Sequence, residues 1–151
     1  MMLEDRLMQD FKEAMKSGNT IKKNTVQQVR AQILLAKKDK PNMTEQDIEN
    51  AIVKERSKRL EAIIQFEKAN RQDLVEQTNK ELLYINEYLP QPMSDAEIAE
   101  GVRAIMQDEK ITEQKLMGYA IKKCKDTFGN RATGKQISDE VKRVLEEYNA
   151  K

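Results

Sequence analysis

The sequence predicts an all-α protein: an N-terminal helical part with a long antiparallel helix pair, residues 1–92, and a C-terminal three-helix part, residues 93–151. Three observations carry that expectation. Apolar residues recur every three or four positions along most of the 151 residues, the period of one helix face. Charged residues make up 35% of the chain and aromatics only 5%, a mix that suits helices with solvated outer faces. Five glycines and three prolines leave little material for hairpins and sheet corners.

Seven helices are predicted. In the first, Leu3, Leu7, Phe11 and Met15 repeat at four-residue spacing, with Met8 and Ala14 widening the stripe, and Ser17-Gly18-Asn19 ends it. Val26, Val29, Ile33 and Ala36 mark the second, beside Leu34 and Leu35, and Lys37 to Asn42 reads as a loop around Pro41. Thr44 caps the third, with Glu45 and Asp47 in its first turn, where the helix dipole favours them. Ile48, Ile52, Leu60, Ile63 and Ile64 are expected on its inner side, and it runs to about Lys68. Asn70 is expected to cap the fourth, whose inward residues are Leu74, Val75, Thr78, Leu82, Ile85 and Leu89. The short turn at Ala69-Asn70 makes the third and fourth helices antiparallel neighbours.

Pro90-Gln91-Pro92 is the clearest boundary, because proline disfavours helix in the residue before it. Ser94-Asp95-Ala96-Glu97 then spells a capping box, followed by Ile98, Val102, Ile105 and Met106. Thr112 is read as the start of the sixth helix, with Leu116, Ala120, Ile121 and Cys124 on one face and Phe128-Gly129 at its end. Thr133 caps the seventh, striped by Ile137, Val141, Val144, Leu145 and Tyr148.

Charge narrows the function classes. The net charge is +1, which excludes a strongly basic nucleic-acid-coating protein. Two segments are locally basic. Residues 12–40 hold eight Lys or Arg against Glu13 and Asp39, and residues 115–135 hold six against Asp126. Each segment fits either a phosphate-binding surface or a solvated face balanced by acidic neighbours. No run approaches the ~18 apolar residues of a membrane span, and the N-terminus has no signal-like apolar core, so a cytoplasmic protein is expected.

The residues for catalysis are sparse. There is no histidine, which removes the commonest general base, the Ser-His and Cys-His nucleophile pairs and histidine metal sites. One cysteine cannot build a structural zinc site, and no motif calls for a cofactor. GNRATGK lacks the spacing of a P-loop. Carboxylates such as Glu55, Glu61 and Glu67 read as charged helix faces. Cys124 reads as a small buried hydrophobe, the alternative being a thiol activated by Lys122, Lys123 and Lys125. Tyr84 and Tyr88 read as edge-of-core packing, the alternative being an exposed stacking pair.

The candidate binding element is the turn Phe128-Gly129-Asn130-Arg131-Ala132-Thr133-Gly134-Lys135. Amides at a helix N-terminus attract anions, and Arg131 and Lys135 flank them. Lys115, Lys122 and Lys123 belong to the preceding helix, and Gly118 and Gly134 permit close approach. Together these seven residues are the predicted RNA-phosphate contacts. The plainer alternative is a tight turn between helices whose glycines serve packing alone.

Phe66-Glu67-Lys68-Ala69-Asn70-Arg71-Gln72-Asp73-Leu74-Val75, followed by Tyr88-Leu89-Pro90, resembles the GatB/YqeY family in its stand-alone YqeY-like form. In the C-terminal part, Lys115-Leu116-Met117-Gly118 resembles the family's Lys-x-Met-Gly element, and Asn130-Arg131-Ala132-Thr133-Gly134-Lys135 its Gly-Arg-Ala-Asp-Gly-Lys element. Asn130 replaces a usual glycine and Thr133 a usual aspartate, so no role for that carboxylate carries over. The resemblance implies a C-terminal three-helix domain similar to the tail of the B subunit of glutamine-dependent Asp/Glu-tRNA amidotransferase. It implies kinship with carbon-nitrogen ligation using glutamine as amide donor, and tRNA, an amidotransferase or another protein as partner. The catalytic parts of that enzyme lie outside the resemblance. The expected role is therefore a non-catalytic tRNA-binding or accessory module. The alternative is a module that docks proteins through its N-terminal helices without binding RNA.

Overall fold

In a computed structural model that describes residues 2–150, the described residues form helices, turns and loops without strands. The seven α-helices are α1 (Leu3–Ser17), α2 (Thr20–Asp39), α3 (Glu45–Lys68), α4 (Gln72–Asn86), α5 (Asp95–Asp108), α6 (Met117–Phe128) and α7 (Gly134–Asn149). Short 3-10 turns at Gln114–Leu116 and Gly129–Arg131 bracket α6. The chain divides into two compact units, the first ending at Leu89 and the second beginning at Pro90. No helix among the described residues is long and apolar enough to cross a membrane.

Three helix starts use the same device. Thr44, Ser94 and Thr133 accept a hydrogen bond from the third helical N–H, while Asp47, Glu97 and Gln136 reach back to the cap's own N–H. Gly18 ends α1 in the left-handed conformation (φ 74°), and Asn19 caps α2 through the Lys22 N–H. At the turn between α3 and α4, Asn70 is itself left-handed (φ 56°), so it serves the C-terminal end of α3 and Arg71 is the N-cap of α4. This differs from the expected cap at Asn70, because asparagine tolerates positive φ and the Arg71 N–H then closes onto the Phe66 carbonyl. Two other boundaries move. Helix α2 continues to Asp39 rather than loosening at Lys37, which Glu4 of α1 holds at 2.7 Å. Thr112 precedes a 3-10 turn, and α6 starts only at Met117.

In the first unit α2 packs against α1, α3 and α4, and α3 against α4. Its core is Leu7, Val26, Val29, Ile33, Ile48, Ile52, Ile85, Tyr88 and Leu89. Burying each large aliphatic side chain there contributes about 1.5–3 kcal/mol. Tyr88 is buried, donates its hydroxyl to Asp10 and lies beneath Arg6, while Tyr84 accepts from Asn19 Nδ2 at 3.0 Å. Both are edge-of-core residues.

The stripe of α3 departs from expectation. Leu60 and Ile64 are 49% and 51% exposed, and the inward positions carry Glu55 and Arg59, at 7% and 6%. Arg59 Nη1 donates to Glu55 Oε1 at 2.7 Å, Nη2 donates to Gln28 of α2, and Nε lies 3.6 Å from Glu81 of α4. Glu55 is thus part of a buried ion-pair network instead of a solvated face. Met15, expected inside, is likewise exposed, since Ala14 takes the inward position at the end of α1.

In the second unit α5, α6 and α7 pack on one another. Val102, Met106, Ile111, Ala120, Cys124, Ile137, Val141, Val144 and Leu145 are fully enclosed. Cys124 fills the small-hydrophobe role, and burial pushes its thiol up to about 11.

Candidate nucleic-acid interface

Within α6, Gly118, Lys122 and Lys125 recur at four and three residues and so share one face, and all three are exposed. The space over Gly118 is open, since a Cβ there would meet nothing within 4 Å. Lys115 stands one 3-10 turn earlier, exposed, with Nζ 3.1 Å from Glu113 Oε2.

The far end of this face meets the start of α7. Lys125 Nζ and Cε each lie 3.4 Å from the place a Cβ on Gly134 would take. The lysine thus lies at ordinary contact distance from the first residue of α7. The Thr133 hydroxyl takes the Gln136 N–H at 3.1 Å, and the Ile137 N–H donates to the Thr133 carbonyl. The N–H groups of Gly134 and Lys135 have no intrahelical acceptor. With the Lys125 ammonium beside them and the exposed Lys135 following, this end of α7 is electropositive.

Lys123 and Arg131 sit differently. Lys123 is on the flank of α6, where its Nζ is 3.6 Å from Glu109 and 5.8 Å from the centre of the Tyr119 ring. Arg131 Nε donates to the Gln91 carbonyl at 3.0 Å, and its Nη2 is 3.6 Å from Glu97 Oε2. The Met93 N–H donates to the Arg131 carbonyl at 2.8 Å. Arg131 therefore clasps the strand of chain that leads into α5. The structure joins Gly118, Lys122, Gly134 and Lys135 through a residue outside the expected set, Lys125. Its three-residue spacing from Lys122 was the available signal.

The sequence profile described as Yqey-like protein matches residues 4–145. "Altered inheritance of mitochondria protein 41, mitochondrial", from Pyrenophora tritici-repentis, is similar to the chain, with 27% identity over 146 residues covering 93% of this chain and 79% of that protein. Both agree with the kinship carried by the Phe66–Val75 segment. With its fold all-helical and the match spanning both units, the chain belongs to the YqeY-like protein family.

Proposed function

We propose that this protein is a non-catalytic tRNA-binding accessory module, akin to the tail domain of tRNA-dependent amidotransferases. The observation that carries the reading is the exposed face Gly118–Lys122–Lys125 running into the open N–H groups of α7 at Gly134 and Lys135. Lysines beside helix N–H groups that lack an intrahelical acceptor suit phosphate, and the two glycines let a backbone approach. Lys115 and Lys123 extend the contact at its edges, and Arg131, held by Gln91 and Glu97, supports the turn beside it.

The test is binding of total tRNA to the whole protein at two salt concentrations. Three or four phosphate contacts reduce affinity roughly tens-fold between about 50 and 200 mM salt. Lys122→Glu with Lys125→Glu removes most of the binding, and Lys135→Glu weakens it. Absence of binding at low salt, or binding unchanged in the Lys122/Lys125 variant, overturns the assignment.

A further inference from the structure

Large apolar side chains are exposed on one flank of α1 and α2. Met8 is 37% exposed, Met15 57% and Leu34 61%. Met8 and Leu34 wall a groove of about 280 Å³ floored by Leu7 and Ile33. The two methionines are seven residues apart, two turns along one face of α1, the spacing at which a docked helix sets its anchors. Methionine is the side chain best able to adapt to a partner's surface.

The charges beside this groove are polarised. Arg30 lies 5.4 Å over the Phe11 ring and lines the groove, and Lys23 precedes it by seven residues on the same face of α2. Lys12 stands between Met8 and Met15 on α1. Glu4 and Asp5 line the opposite end, and Glu4 is already matched to Lys37 at 2.7 Å. Uncompensated positive charge therefore gathers toward the turn between α1 and α2.

We infer that this groove docks a single amphipathic helix of a partner protein, with an apolar seam against Met8, Met15 and Leu34 and an acidic flank over Lys12, Lys23 and Arg30. The concave apolar floor fits a side-chain seam rather than a phosphate backbone, and the carboxylates at one end fix which way the helix lies. The site is in the first unit and does not depend on the RNA reading of the second.

The experiment uses the full chain with 13C-labelled methionine methyls. The probe is a synthetic helix-forming peptide with a leucine seam flanked by glutamates, and its counterpart has lysines in place of the glutamates. The Met8 and Met15 methyl resonances shift with the glutamate peptide, which binds about tenfold or more tighter than the lysine peptide. Leu34→Glu, at an exposed position, lowers that affinity by about the same factor, as does Lys23→Glu combined with Arg30→Glu. Equal affinity for the two peptides overturns the proposal, as does binding unaffected by these variants. So do shifts confined to methionines of the second unit, self-association in place of peptide binding, and displacement of the peptide by phosphatidylserine vesicles.

Discussion

The ring of Phe128 occupies the space that a side chain on Gly101 would need. A Cβ there would lie 2.7 Å from Phe128 Cζ and 2.8 Å from Cε1. Glycine in the middle of α5 forgoes up to about 1 kcal/mol of helix propensity, and the ring it admits closes the end of α6 over the core. Gly101→Ala regains that propensity but forces a buried ring aside, at about 1–3 kcal/mol. The expected net is a loss of about 1 kcal/mol, read from the urea midpoint. With Phe128→Leu in place, the same substitution costs less.

Arg59 holds two carboxylates and an amide from three helices inside the first unit. Arg59→Ala leaves the buried Glu55 with only the more exposed Lys58, 3.6 Å away, and the expected loss is about 3 kcal/mol. Arg59→Leu combined with Glu55→Met recovers most of it, because two well-packed apolar residues replace a desolvated pair. Thermal melts of the three proteins distinguish the cases, and equal losses in the single and double variants would contradict this account.

This network shows where sequence reading stops. The starts of α3, α5 and α7 were legible because Thr44, Ser94 and Thr133 stand as caps ahead of an apolar stripe, with the reciprocal Glu97 written out after Ser94. Most of α4 was legible because its apolar positions share one period. In α3 the period is ambiguous: Ile48, Ile52, Glu55 and Arg59 form one stripe, and Leu60 with Ile64 starts another. Which stripe turns inward is decided by Gln28 and Glu81 on other helices, and local pattern does not carry that. Lys125 was left out of the expected contacts although its spacing puts it on one face with Lys122. The clasp of Arg131 on Gln91 was not, because its acceptor is a backbone carbonyl 40 residues away, which has no residue signature.

Cys124 gives a pH dependence of known sign. Burial raises its thiol from 9.0 to about 11, so between those values the unfolded chain loses a proton that the folded chain keeps. Stability is unaffected by this group below pH 9 and falls as pH rises from 9 toward 11. In Cys124→Ala the fall over that window is shallower, measured by urea titration at several pH values. Alkylation of the native thiol at pH 8 is expected to be slow and to become fast on unfolding.

Asp47 responds to acid. The hydrogen bond from Lys40 Nζ, at 2.8 Å, and that from the Thr44 N–H at 2.9 Å hold its carboxyl at about 2, down from 3.8. The stabilisation is complete above pH 3.8 and is lost as pH falls toward 2. Lys40→Ala should raise the Asp47 titration midpoint in a carboxyl-detected NMR experiment and speed amide exchange in the first turn of α3. An unmoved midpoint would remove Lys40 as the main cause.

The clasp of Arg131 on the chain before α5 bears on how the protein can be cut. A fragment that starts at Met93 keeps three helices but discards Gln91, whose carbonyl receives the guanidinium. A fragment that starts at Pro90 retains it. The longer piece is expected to melt higher although its two extra prolines and one glutamine lie outside every helix. Dissection by helix boundaries alone would therefore yield a weakened domain, whose defects would reflect the missing anchor.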